Sequence, residues 1–512
     1  MAFTFSTKRI LGNAGASVAQ SVVATVALFW LYRSLLTTLG AEQMGVWSII
    51  FAAVTAGKLA ELGIGNGVVK FVSAAAHDTV EAQNIIRTAL SITSFSMCFV
   101  LGVMYMISPY ILPAIVGQEH TALASSLLPF ALYSFLTATI AGVYQSAMDA
   151  LLITKHRAVI SIITTILYAG LAVVLTEKYG LFGLGIAQCV QNTVQTIASY
   201  LVVSNATKTT IHNPFGWSAP LAKKLLTYGL NAQLAAVSIA LLCEPVTKLY
   251  LHWFGGLQSV TYFDMATRII TQFRSVILSA FQAVVPVIAR LHESDHRQQE
   301  PLYSIAMNII IPVSISGFVC IASLSPIVSR LWIGSYQEQF TLTMVVLSVG
   351  WFVNTVAVPS YMMNLGSGAL GYNTISHFII GILNAAAGYV LGIFYGFEGV
   401  LWGWSAGLIS GSIYLIFTYH KRYQTHHTHK KIVLFILFVV QCVAGIALYG
   451  AIRPLASVSL DISVALAASL VAGIVCFIAI WYGIARRGTS NDDGSHTIRQ
   501  GSMFHHSSHS YL

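Results

Sequence analysis

Apolar residues run through this chain in blocks of about 20 residues, each separated from the next by a short polar stretch. A helix of that length crosses a membrane once, because it rises about 1.5 Å per residue and the hydrocarbon core is about 30 Å thick. Short alternating segments, which indicate a transmembrane β-barrel, do not fit this pattern. The sequence predicts an all-α polytopic membrane protein with fourteen spans: 11–37, 44–72, 85–108, 122–149, 158–176, 180–204, 223–252, 258–288, 303–327, 340–363, 372–394, 398–418, 432–452 and 462–484.

Composition narrows the class of protein further. Of 512 residues, 56% are hydrophobic and 8% are charged, whereas soluble domains carry about 25% charged residues. This balance excludes a soluble enzyme, a nucleic-acid-binding domain and a disordered protein. Six cysteines lie inside apolar runs without CxxC spacing, and His-rich segments at 426–429 and 505–509 are typical of solvated basic stretches. We therefore expect no metal, no cofactor and no nucleic-acid partner.

The positive charge is distributed unevenly between the two predicted sides of the membrane. With an even number of spans, 18 of the 26 Lys and Arg residues fall on the side of both termini and four on the other side or its edge. Such a bias marks the cytoplasmic side. It predicts a multi-pass protein of the bacterial cytoplasmic (inner) membrane with both termini in the cytoplasm.

An internal repeat relates the two halves of the chain at a constant offset, which matches Gly40 with Gly255 and Trp47 with Tyr262. A basic pair, an apolar span, a basic residue, a glycine and an aromatic residue recur in order. Parallel repeats of this kind are one of the recurring plans of transporters. We predict a six-helix lobe at 1–210, a second at 211–420, two further transmembrane helices at 421–485 and a disordered cytoplasmic tail at 486–512.

Charged residues inside spans are candidate site residues, since a lone charge in the membrane costs several kcal/mol. Three acid–cation sets have helical spacing: Lys58 with Glu61, Glu244 with Lys248, and Asp264 with Arg268. Each set either locks helices together or serves transport, and the sequence leaves both readings open. Arg274 has no acid three or four residues away, which favours a polar cavity. The predicted anion-binding cations are Arg33, Lys58, Lys248, Arg268 and Arg274, and the ion-coupling or ion-pair candidates are Glu61, Asp149, Glu244 and Asp264.

The first seventy residues carry a more specific pattern. Lys8-Arg9 precedes span 1, and then follow Leu39-Gly40, Met44-Gly45-Val46-Trp47-Ser48, Glu61-Leu62-Gly63-Ile64-Gly65 and Val69-Lys70-Phe71-Val72. This opening resembles that of the bacterial polysaccharide transporters, the O-antigen and lipid-linked oligosaccharide flippases of the multidrug/oligosaccharidyl-lipid/polysaccharide (MOP) exporter superfamily. Glu61 stands where that family usually has aspartate, a departure that keeps the charge.

The resemblance implies a flippase that moves a polyprenyl-diphosphate-linked oligosaccharide to the outer leaflet by alternating access, for polysaccharide biosynthesis and export. Its implied partners are this lipid-linked oligosaccharide, membrane lipids, a polymerase and other polysaccharide-assembly proteins. A multidrug or small-molecule antiporter of the same superfamily, coupled to an ion gradient, is the first alternative. A membrane-embedded polymerase or ligase is the second, although the short outer loops give no room for a catalytic segment, and we expect the protein not to be an enzyme.

Overall fold

The computed structural model describes residues 7–75, 78–207, 216–282, 288 and 299–423. All regular elements within these ranges are helices, as the apolar pattern predicts. The predicted spans 432–452 and 462–484, the tail 486–512 and both His-rich segments lie outside the described residues. The helices are α1 (Thr7–Thr55), a 3₁₀ turn (Ala56–Glu61), α2 (Ile64–Ala74), α3 (Thr79–Val116), α4 (Thr121–Ala150), α5 (Thr154–Tyr179), α6 (Leu181–Ala206), α7 (Ala219–Leu242), α8 (Glu244–Gln282), α9 (Gln299–Ile333), α10 (Glu338–Val356), α11 (Val358–Gly366) and α12 (Leu370–Tyr423).

Seven helical stretches in the described residues are long and apolar enough to cross a membrane. The chain is therefore an all-α polytopic membrane protein. Some of these helices are too long for one crossing: α12 has 54 residues, which at 1.5 Å per residue is about 80 Å against a core of about 30 Å. A break at Gly396 divides α12 where the sequence predicts the turn between two spans.

Two pairs of glycine turns have nearly the same backbone conformation in the two halves of the chain. Gly40 in α1 has φ 79° and ψ 165°, and Gly256 in α8 has φ 78° and ψ 173°. Gly180, between α5 and α6, has φ 57° and ψ −139°, and Gly396 has φ 61° and ψ −143°. A residue with a side chain rarely adopts positive φ, so these are positions where glycine makes a one-residue turn between crossings.

These turns refine the repeat. The same number of residues separates Gly40 from Gly256 and Gly180 from Gly396. It also separates Leu152 from Gly368, two further residues with positive φ. The match of Gly40 with Gly255 is therefore wrong by one position, because Gly256 is the glycine that turns the chain. A repeat read from residue types alone could not separate two adjacent glycines.

Among the predicted spans that the structure describes in full, three are not continuous helices. The second span breaks at residues 56–63 through the 3₁₀ turn, Leu62 (φ 50°) and Gly63 (φ 65°). The seventh breaks between α7 and α8, where Pro245 lies in the first turn of α8. The tenth breaks between α10 and α11, which has proline in its first turn. Proline suits a first helical turn because its missing N–H has no partner there. The Gly-rich segment after Glu61 therefore begins at a break in the helix.

The most extensive contacts between the two halves of the chain lie along two helix pairs. The first pair is α1 against α8, where an added Cβ on Gly45 would collide with the Leu257 carbonyl oxygen. The second pair is α2 against α7, where a Cβ on Gly63 would collide with the Gly229 carbonyl oxygen. Backbone meets backbone at both places, which small residues allow. The Gly-rich segment thus packs closely against α7.

Substitution of Gly63 by alanine should lower the thermal stability of the protein. The left-handed backbone costs a residue with a Cβ about 1–2 kcal/mol, and the new methyl group would meet the Gly229 carbonyl. Thermal unfolding in detergent, followed by intrinsic fluorescence, measures the effect. Gly102→Ala is the matched control, since nothing lies within 4 Å of a Cβ at that helical position. Equal melting temperatures for the two variants would contradict the close approach of α2 and α7.

Candidate functional site

Lys248 is the central residue of a charge cluster on α8. Its side chain is 7% exposed, and its Nζ lies 2.9 Å from Glu244 Oε1 and 2.6 Å from Asp264 Oδ1. A buried ammonium group is tolerated when carboxylates neutralise it and accept its hydrogen bonds. Glu244 and Asp264 lie on opposite sides of the Gly256 turn. The cluster therefore ties the two arms of the α8 hairpin together.

The N-terminal half completes the cluster with neutral groups. The Ser48 hydroxyl on α1 donates a hydrogen bond to Asp264 Oδ2. One turn earlier along α8, the Thr261 hydroxyl donates to the Ala41 carbonyl oxygen at 2.6 Å. Both contacts join helices that belong to different halves of the chain. The cluster thus lies at the α1–α8 interface between the halves.

Arg268 does not pair with Asp264 as the i,i+4 spacing predicts. Among the described ion pairs, Asp264 is held by Lys248 instead. The Arg268 guanidinium lies over the ring of Tyr32 on α1, with its Cζ 4.8 Å from the ring centroid. Tyr32 is buried while Arg268 is exposed. A cation on an aromatic face, with no described carboxylate within 4 Å, keeps its charge available for an anion.

Arg274 occupies a second position without an acidic partner. Its Cζ lies 5.1 Å from the ring centroid of Trp351 on α10, and no described carboxylate is within ion-pair distance. Arg274 Nε and Trp351 Nε1 are both buried without a hydrogen-bond acceptor among the described residues. Buried donors left unsatisfied are costly. The half-buried arginine and the indole N–H together offer donors to an acceptor that the described part of the chain does not supply.

Lys58 and Glu61 lie on the 3₁₀ turn that breaks the second span. Lys58 is exposed and interacts electrostatically with both Glu61 and Glu244. The hydroxyl of Ser96 on α3 donates to the Ala60 carbonyl oxygen at 2.8 Å. This bond satisfies a carbonyl that the helix break releases, as a backbone group in a membrane requires. Lys58 therefore stands within electrostatic reach of the α8 cluster.

Two predicted site residues lie elsewhere. Asp149 accepts a hydrogen bond from Arg157 Nη1 at 2.5 Å, which bridges the turn from α4 to α5. Arg33 Nη1 donates to the Leu331 carbonyl oxygen at 3.0 Å, near the C-terminal end of α9. A cation there satisfies a carbonyl with no helical partner. Neither residue contacts the Lys248 cluster, and both bind structural partners of their own.

Three residues of the site escaped the sequence analysis: Tyr32, Ser48 and Trp351. None of them carries a charge, so a search for embedded charges passes over them. The corrected repeat offers a signal for the first two, because it matches Tyr32 with Lys248 and Ser48 with Asp264. The same offset relates Lys58 to Arg274. Each half therefore contributes one cation at the corresponding position of its second predicted span, 44–72 in the first half and 258–288 in the second.

Substitution of Asp264 by asparagine should destabilise the protein more than substitution of Glu244 by glutamine. Removing one partner of a buried ion pair costs about 3–5 kcal/mol, and Asp264 is 9% exposed against 54% for Glu244. Exposed pairs contribute about 0–1 kcal/mol. Melting temperatures in detergent rank the two variants. A Glu244→Gln variant that melts at or below the Asp264→Asn variant would show that Lys248 does not depend chiefly on Asp264.

Solved structures that share this fold include transporters of the MOP superfamily. The inward-facing conformation of a multidrug resistance MATE family transporter matches with a TM-score of 0.68 at 17% identity, covering 80% of this chain and 96% of that one. Lipid II flippase MurJ, in an inward closed conformation, matches with a TM-score of 0.65 at 14% identity, covering 92% of this chain and 99% of that one. A MOP superfamily transporter from Pyrococcus furiosus matches with a TM-score of 0.56 at 17% identity, covering 81% and 96%.

No protein-family model and no curated protein sequence matches the chain. At identities of 14% and 17%, the structural likeness concerns the fold. It agrees with the superfamily that the opening seventy residues resemble. It does not identify the transported molecule, which has to be inferred from the site residues. The chain has the fold of MOP superfamily transporters.

Proposed function

We propose that the protein is a flippase that moves a polyprenyl-diphosphate-linked oligosaccharide across the membrane by alternating access. The observation that carries this proposal is the pair Lys58 and Arg274, one embedded cation in each half at positions that the corrected repeat relates. A diphosphate has two anionic groups, so one cation from each half suits it. Arginine supplies several donors to phosphate oxygens, and lysine a point charge.

The remaining charges support the same assignment. Arg268 and Arg274 have no carboxylate within ion-pair distance among the described residues, while Lys248 is neutralised by two acids. The uncompensated positive charge therefore belongs to the arginines, and Lys58 adds an exposed ammonium group. Positive charge in a low-dielectric cleft attracts an anionic substrate strongly. In this proposal Lys248 has a structural role, since its ion pairs join the two arms of α8. Arg268 can then bind the substrate.

Alternating access requires two lobes that move against each other, and the internal repeat supports such a division of the chain. Residues 1–210 and 211–420 form two repeat-related lobes in this proposal, and the α1–α8 and α2–α7 contacts are the surfaces that separate in turn. Rocking of one repeat against the other around a fixed site is the usual mechanism in such transporters. In this proposal both termini lie in the cytoplasm of a bacterium and the helices lie in its inner membrane, which the basic bias of the sequence supports. A polymerase and other assembly proteins would receive the exported unit.

A multidrug or small-molecule antiporter is the second candidate, and the match to a MATE family transporter favours it. The acids Glu244 and Asp264 would then serve a cationic drug or a coupling ion. In the structure both acids are engaged by Lys248, which leaves less negative charge for a drug. The two candidates therefore differ in the sign of the charge that the substrate brings.

A deletion strain distinguishes the two functions. If the protein is a flippase, deletion should block polymer export and leave the lipid-linked repeat unit inside the cell, with unchanged susceptibility to cationic drugs. Normal export in a strain without a redundant exporter, together with increased drug susceptibility, would establish the antiporter instead.

Substitution of Arg274 by alanine should reduce transport of the lipid-linked oligosaccharide about tenfold or more. The loss of a desolvated charge contact costs about 2–5 kcal/mol, and about 1.4 kcal/mol corresponds to a factor of ten. Transport into reconstituted vesicles measures the effect at equal protein content, and Arg274→Lys should keep part of the activity. Lys178→Ala is the control, because Lys178 is an exposed cation in the last turn of α5. Unchanged transport by the alanine variant would remove Arg274 from the substrate site.

A further inference from the structure

A second group of cations lies away from the proposed substrate site, where α2 meets α7. Lys70 Nζ lies 4.2 Å from the ring centroid of Tyr228, and Lys224 Nζ lies 4.9 Å from that of Phe71. The two rings pack edge to face with centroids 5.7 Å apart. Neither lysine forms an ion pair with a described carboxylate. Two uncompensated ammonium groups thus flank one aromatic pair that belongs to both halves of the chain.

A cavity opens beside this pair. Its volume is about 90 Å³, and its lining residues include Phe71, Ala75, Glu81, Ile85, Leu221 and Lys224. A shallower groove continues along α7 past Lys223 and Tyr228. The lysines are exposed, whereas Ile85 and Leu225 on the inner wall are buried. The site therefore presents charge at its mouth and apolar side chains at its back.

The position of the cavity along the membrane-spanning helices indicates what it binds. It lies between the last turn of α2 and the first turn of α7, on the side to which the sequence assigns most of the basic residues. The ends of membrane-spanning helices lie near the level of phospholipid headgroups, and basic pockets between transmembrane helices on the cytoplasmic side bind anionic headgroups. Lys70, Lys223 and Lys224 leave an excess of positive charge over Glu81. The Glu81 carboxylate is an acceptor for a headgroup hydroxyl.

We propose that this cavity, formed by α2, α3 and α7, binds an anionic glycerophospholipid of the phosphatidylglycerol type. Lys70 and Lys224 contact its phosphate, Glu81 accepts a hydrogen bond from its glycerol hydroxyls, and the acyl chains lie toward Ile85 and Leu221. Because α2 and α3 belong to one half of the chain and α7 to the other, the bound lipid holds the α2–α7 contact together. The proposal concerns a membrane lipid and stands independently of the transported molecule.

Native mass spectrometry of the purified full-length protein tests the site. Wild type should retain phosphatidylglycerol but not zwitterionic phosphatidylcholine, and a Lys70→Gln/Lys224→Gln variant should retain it about tenfold less well, since each lysine contributes appreciably to headgroup attraction. Lys155→Gln is the matched control: Lys155 is an exposed lysine in the first turn of α5 on the same predicted side. Lys70→Arg/Lys224→Arg should keep the lipid.

Thermal unfolding provides the second measurement. Added phosphatidylglycerol should raise the melting temperature of wild type and of Lys155→Gln, and should leave that of the double glutamine variant unchanged. Equal melting of all variants in lipid-free detergent shows that the substitutions do not disturb folding; if the glutamine variant does not fold, Lys224→Gln alone replaces it. Equal retention of phosphatidylglycerol by all variants would overturn the proposal. So would displacement of the lipid by equimolar polyprenyl diphosphate, which would assign the cavity to the substrate path.

Discussion

The burial of the Lys248 ammonium group between two carboxylates constrains much of the structure around it. A charge so far from water requires a neutralising carboxylate, and the buried one, Asp264, lies on the other arm of α8. The chain must therefore turn sharply at Gly256 to bring Asp264 back to Lys248. Once Asp264 is held on one side by lysine, its second oxygen faces Ser48 of α1. The internal pairing of α8 thus sets how the two halves of the chain meet.

The embedded cations divide into two groups by what compensates them. Lys248 is fully engaged by acids, whereas Arg268 and Arg274 lie over the aromatic rings of Tyr32 and Trp351. An aromatic face attracts a cation without neutralising it. This arrangement positions two arginine side chains and preserves their charge. The lysines at the α2–α7 contact follow the same principle, since they too lie over aromatic rings.

The membrane crossings were predictable from the sequence. In a protein with so little charge, an apolar block of about 20 residues is best explained as a membrane-spanning helix. The breaks within crossings were harder. Residues 56–63 belong to a largely apolar block, and the interruption follows from the left-handed Leu62 and Gly63 rather than from polarity. Local spacing also misassigned one ion pair. Asp264 and Arg268 have helical spacing, but Lys248 reaches Asp264 across the Gly256 turn.

Partners brought together by a turn cannot be found by counting along one helix. Neutral residues such as Ser48 and Tyr32 are harder still to predict from the sequence, because nothing distinguishes them from other residues of a membrane-spanning helix. The repeat relates them to the cluster only after its offset is corrected by one position, and that correction depends on backbone angles that residue types do not reveal.

The Ser48–Asp264 hydrogen bond joins two halves of the chain, and this long separation affects membrane insertion during synthesis. At about 5–20 residues per second, Ser48 enters the membrane about 10–40 s before its partner is made. A serine hydroxyl tolerates that delay because it can bond to a carbonyl of its own helix. Lys248 enters the membrane together with its counter-charge Glu244, four residues earlier, and Asp264 follows within about 1–3 s. The charged residues of the cluster therefore enter the membrane close together in time. Only the neutral Ser48 waits in the lipid for its partner in the other half of the chain.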